Sequence, residues 1–165
     1  ALSAAVSLIF GLLLWGTVLV AGGHYEQEHR VLLGLPYWLA VFGIWVDAAV
    51  ITAFALLVCS LSTISVLPLV AGIVFALAGK AFGPLVEYIA GGANGQPEMA
   101  AAYRPFLAVA QWVLPDLSRL DWRIWPLYGV TPAPADVLIP IIMACVYVAA
   151  MLGFSVWLFS RREFS

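Results

Sequence analysis

Charge is what this sequence has least of. Only 10% of its 165 residues are Asp, Glu, Lys or Arg, against about a quarter in ordinary soluble domains. A chain so poor in charge cannot cover a water-facing surface, which excludes a soluble globular fold. The formal net charge of -2 offers no basic surface, and nucleic acid is not an expected partner. Cysteine is nearly missing as well. Cys59 and Cys145 each sit in an apolar run with no CxxC or Cys/His spacing nearby, and they read as small buried hydrophobes, not as a disulfide or a metal site. Histidine is confined to His24 and His29, whose spacing in a polar stretch suits no single helix face. No metal or cofactor is therefore expected. No GxxxxGKS/T phosphate loop occurs, and no nucleophile, base or acid cluster marks the chain as an enzyme. Any ATP hydrolysis would belong to a partner. The sequence opens at Ala1 without an initiator methionine or a basic, cleavable leader, and is expected to be a processed product or part of a longer polypeptide.

What the chain has instead is apolar length. Hydrophobic residues make up 64% of it, and its mean hydropathy is +1.04. A membrane-crossing helix needs about 20 mostly apolar residues. The runs over about 1–21, 36–60, 66–90 and 137–160 meet that length. The expected fold is all-α: a polytopic transmembrane bundle of four spans, forming one domain within the lipid bilayer. "HYEQEHR" (His24 to Arg30) links the first two runs, and "SLSTISVLP" links the second and third. The segment 91–136 differs from the rest. "GGANGQPE" is turn chemistry, and Met99 to Val113 is apolar but broken by Arg104, Pro105 and Gln111. An interfacial or re-entrant helical pair fits that stretch better than a span. "LPDLSRLDWRIWPLYG" then mixes charge with Trp122, Trp125 and Tyr128, as suits residues anchored among headgroups. An even number of spans puts both termini on one side. Arg161 and Arg162 favour the cytoplasm for that side, whereas Arg30, Arg104, Arg119 and Arg123 on the other side count against it.

An ionisable residue inside a span costs about 2.5 to 3.5 kcal/mol on insertion scales, so Asp47, Lys80 and Glu87 call for partners. Asp47 lies 11 residues after Pro36 and Lys80 lies 10 before Ala90. If those two ends share a membrane face, both charges sit roughly 15 Å deep. One reading pairs Asp47 with Lys80 across neighbouring helices. Another lets Lys80 snorkel along its own helix toward Glu87. Lys80 could also meet a carbonyl, a second chain or a substrate. Pro84 has no N–H to offer the Lys80 carbonyl, which predicts a kink. Gly79 and Gly83 form a GxxxG pair that admits a close neighbour.

The order of these features resembles the C-terminal portion of an ABC-2 type transporter permease. The likeness rests on "ALLVCSLSTISVLPLVAGIVFAL", on "AGKAFGPL", on "VLPDLSRLDWR" (similar to an "LPxLxxxD" segment before the last helix) and on the "WLFSRREF" ending. It implies that the four runs are the family's third to sixth helices. The first two helices and the coupling helix would then lie outside this sequence or on another chain. It further implies a multi-pass protein of the bacterial inner membrane that works as a homo- or heterodimer with a second permease protomer. Separate ATP-binding cassette ATPase subunits would power it. In that frame Asp47, Lys80 and Glu87 are structural or gating charges. Gly79, Gly83 and Pro84 form a kinked, tightly packed point, and Arg119, Asp121 and Trp122 are outer-gate candidates. The family supplies no catalytic residues. A different class, a membrane anchor or accessory subunit of a respiratory or photosynthetic complex, uses the same spans only for packing. A lipid-modifying enzyme ranks behind both.

The pairing of Asp47 with Lys80 makes a defined prediction. Asp47→Lys and Lys80→Asp should each impair folding, and the double exchange should restore it, as read by the yield of monodisperse protein in detergent. Mild single defects without rescue would favour snorkelling.

Overall fold

The computed structural model describes residues 2–22, 32–90, 105, 115–129 and 132–162. All the regular structure among them is helical, with no strand, and the all-α expectation holds. Helix α1 covers Leu2–Gly22, α2 Leu35–Leu61 and α3 Leu67–Ala90. A 3-10 helix follows at Leu117–Leu120. The short α4 spans Ile124–Tyr128, and α5 runs over Pro134–Arg162. The connector His24 to Arg30, the "GGANGQPE" turn and the expected re-entrant pair over Met99 to Val113, Pro105 apart, lie outside the described residues.

Helices α1, α2, α3 and α5 are long and apolar enough to cross a membrane. In hydrocarbon a backbone must satisfy its own hydrogen bonds, and the helix does this within one segment. The chain is thus a multi-pass integral membrane protein by architecture. The last span begins three residues earlier than its apolar run suggests. Pro134 opens α5, where its missing N–H costs nothing, and Asp136 lies in the first turn, where a carboxylate suits the positive end of the helix. Between α2 and α3 the link is tight. The Ser62 hydroxyl accepts from the Ile64 N–H at 3.0 Å, and the Leu67 N–H donates to the Ile64 carbonyl at 3.2 Å. A serine at such a turn gives the chain a local hydrogen bond in place of the helical one.

The chain divides into two compact units, 1–49 with 120–142 and 50–119 with 143–165. In the first, α1 meets the start of α2 closely. The Tyr37 hydroxyl donates to the Gly11 carbonyl, and a Cβ on Gly11 would stand 3.1 Å from the Val41 side chain. Tyr37 and Ala40 are buried there. Gly43, one turn further, takes the Leu120 carbonyl and the Trp122 ring so closely that a Cβ would lie 2.6 and 3.0 Å from them. Trp122 stacks on Trp125 at 5.2 Å, and α4 ends at Gly129, whose φ of +67° forms a left-handed cap. The Leu32 N–H donates to the Pro126 carbonyl at 3.0 Å.

In the second unit Phe54 stacks on Phe75 with centroids 4.1 Å apart, and Val50, Ala53, Phe82 and Ala144 are buried. Ser60 and Ser155 are buried too, and each hydroxyl donates back to a carbonyl of its own helix, at 2.7 and 2.9 Å. Arg161 lies over the Trp157 ring at 4.7 Å, a cation–π contact at a span end. Cys59 and Cys145 are free thiols, as their spacing implied, but they are exposed on α2 and α5 instead of buried. A small apolar side chain serves equally well against lipid, which a periodicity of apolar residues alone does not distinguish from a core. The membrane assignment predicts that the chain stays in the pellet when membranes are washed in alkaline carbonate. Release into the supernatant would contradict it.

Candidate functional site

The richest site lies in the second unit, where the turn after Leu114 settles on the last turns of α3. Gly79 and Gly83, four apart, share a helix face. A Cβ at Gly79 would fall 2.7 Å from a Leu117 methyl and 3.3 Å from the Pro115 carbonyl. One at Gly83 would fall 2.7 Å from Asp116 Oδ1 and inside contact with Ser118. The close neighbour that this GxxxG pair admits is thus a polar turn. Its apolar residues Pro115 and Leu117 are fully buried.

Asp116 organises the turn. Its Oδ1 accepts from the Ser118 N–H at 3.2 Å and from the Ser118 hydroxyl, while Oδ2 accepts from Arg119 Nε at 3.0 Å. An aspartate that bonds the backbone two residues on is a standard way to start such a turn. It satisfies an N–H that the helix cannot. The ion pair with Arg119 is loose, since the arginine side chain is 62% exposed. Pairs of that kind contribute about 0 to 1 kcal/mol.

Above the contact lies a half-open cleft of about 440 Å³. Helix α3 supplies Phe82, Gly83, Val86 and Glu87 to its wall. Asp116, Ser118 and Arg119 face it from the turn, and Met143 closes it from α5. Two carboxylates, a guanidinium and a hydroxyl therefore share one cavity with an aromatic, a valine and a methionine side chain. That combination suits a ligand with both polar and apolar parts.

The residues singled out from sequence fall in different places. Glu87 and Arg119 line this cleft, Gly83 forms its floor, and Gly79 packs beneath it. Helix α3 runs unbroken through Pro84. Lys80 lies on the exposed side of α3, and Glu87 is exposed on the same helix. Asp47 is 7% exposed and belongs to the first unit. So do Asp121 and Trp122, whereas Arg119 belongs to the second. Within the first unit Asp121 Oδ1 accepts from Arg123 Nε at 2.6 Å, and the carboxylate takes a second bond from the same guanidinium. That bond and the Asp121 charge raise the Arg123 pKa above its ordinary value, and the Asp47 charge adds to the effect. Asp47 therefore shares its electrostatic surroundings with Arg123, 76 positions further along the chain. Sequence reasoning did not connect the two. It also passed over Asp116, Ser118 and Met143. The D-x-S spacing of Asp116 and Ser118 was a readable turn signal, but nothing in the chain order announces Met143.

Among the described residues no group of three or more His, Cys, Asp and Glu is placed to hold a metal ion. Comparison with protein-family models, with curated proteins and with solved structures gives no match to this chain.

The close contact at Gly83 makes a paired prediction. Gly83→Ala should destabilise the protein by about 1 to 3 kcal/mol, because the turn must move to accept a methyl group. Gly16→Ala, where nothing stands within 4 Å, should leave stability unchanged or raise it by about 0.5 to 1 kcal/mol. Thermal melting in detergent measures both, and equal shifts would contradict the packing described.

Proposed function

We propose that this chain is a transmembrane permease subunit of an ABC-type exporter in a bacterial cytoplasmic membrane, driven by separate ATPase subunits and paired with a second permease protomer. The observation that carries the reading is the seating of the "LPDLSRLD" segment. Its apolar positions Pro115, Leu117 and Leu120 are buried. Its polar positions Asp116, Ser118 and Arg119 line a cleft beside a span. This division of labour supports a segment built as a cap over a membrane helix, the role that an outer gate requires. The four spans and the arginine-marked end of α5 agree with the reading. In this frame Arg119 serves the cleft side of the gate, and Asp121 with Trp122 serves the packed side. Asp47, Lys80 and Glu87 are its intramembrane charges.

The test is purification of the full polypeptide from its own membranes under mild detergent. An ATP-binding cassette ATPase should co-purify, and its turnover should change when the permease is removed. Stable isolation with haem- or quinone-bearing subunits and no ATPase would instead assign the anchoring role.

A further inference from the structure

The cleft on α3 has a chemistry that the exporter reading does not specify, and its position limits what can enter. The apolar window of α3 ends at Ile89. Glu87 and Gly83 therefore lie about 3 and 9 Å from that end along the axis, at the level where headgroups replace acyl chains. A lipid beside α3 presents its headgroup at that depth and its chains to the exposed apolar flank of the helix, where Leu77 and Leu85 are 66% and 49% exposed.

The charges in the cleft select among headgroups. A purely anionic headgroup would face Glu87 and Asp116 with only Arg119 in its favour. A purely cationic group would gain the carboxylates but meet the guanidinium. A headgroup with a phosphate and a primary ammonium uses both signs. Its phosphate can take bonds from the forked guanidinium of Arg119, and its ammonium has three N–H donors for Glu87. A trimethylated ammonium has no such donor. The cavity of about 440 Å³ is of the size of a ligand site and accommodates a headgroup with the first part of its glycerol.

We propose that this cleft is a binding site for a zwitterionic phospholipid with a phosphoethanolamine headgroup, with Glu87 receiving the ammonium and Arg119 the phosphate. The inference stands apart from the transport reading, since a lipid site of this kind serves an anchor or a permease alike.

Native mass spectrometry of the detergent-purified full chain tests it, with phosphatidylethanolamine, phosphatidylcholine and phosphatidylglycerol of identical acyl chains added at equal concentration. Phosphatidylethanolamine should be retained in preference to both others. Glu87→Gln should lower its retention roughly tenfold, the loss of one charge-assisted contact. Arg119→Gln should lower it to a similar extent, and both variants should keep the wild-type circular dichroism spectrum. Gly16→Ala should bind like wild type, and water-soluble phosphoethanolamine should displace the lipid only weakly. Equal retention of the three lipids, or unchanged binding in Glu87→Gln, would overturn the proposal. Full displacement by soluble phosphoethanolamine would overturn its lipid character. Should Arg119→Gln lose its helical spectrum, Arg119→Lys takes its place, and retention of the lipid at wild-type strength by that variant together with Glu87→Gln would count against the site.

Discussion

The seating of the Pro115–Ser118 turn on α3 is the contact on which the candidate site depends. A non-helical segment near hydrocarbon must satisfy its own polar groups, because lipid tails offer none. This turn does so with its own atoms. The Leu117 N–H donates to the Pro115 carbonyl at 2.9 Å and the Arg119 N–H to the Asp116 carbonyl at 3.3 Å, while the Asp116 side chain takes the Ser118 donors. Self-sufficiency alone would leave the turn floating. It comes to rest because Gly79 and Gly83 present bare backbone, and Leu117 and Pro115 fill the space that side chains would occupy there. The cleft, with Glu87 and apolar side chains on the helix wall and Asp116, Ser118 and Arg119 on the turn, follows from that approach.

The same device recurs in the first unit with different chemistry. Gly43 admits the Leu120 carbonyl and the face of Trp122. Trp122 is then 3% exposed, and its ring stacks with Trp125. Aromatic rings near a span end usually lie among headgroups, and Trp122 departs from that habit because a glycine stands beneath it. The two aspartate–arginine pairs of the segment, Asp116 with Arg119 and Asp121 with Arg123, are both local in sequence. They shape the turns that carry them. Exposed pairs of this kind are worth too little to hold elements together, so the packing onto glycine does that work.

How much of this could be read from the sequence follows from what kind of information each feature needs. The four spans were legible, because length and apolar content decide them without reference to neighbours. Their ends were less so: α5 begins at Pro134 because proline and Asp136 favour a first turn, a local preference that an apolar count overlooks. The Gly79–Gly83 spacing announced a close approach, but a spacing cannot name what approaches, and the neighbour is a turn. Cys59 and Cys145 illustrate the opposite failure. In a soluble chain an apolar residue in a helix points inward, whereas in a span both directions are apolar, and the inference from hydrophobicity to burial lapses. The link from Asp47 to Arg123 depends on tertiary placement alone.

Helix α1 shows what remains when that inference lapses altogether. Only 6% of its membrane-length window is buried, against 28% for α2. In water so apolar a helix would be driven into a core, but lipid is as apolar as leucine and supplies no such force. What ties α1 to α2 must then be packing and polar contacts, and Gly11 takes part in both. The Tyr37 hydroxyl reaches the Gly11 carbonyl, and Gly11 itself brings the backbone of α1 against Val41. The opposite face of α1, with Phe10 68% and Val20 70% exposed, is surface for lipid.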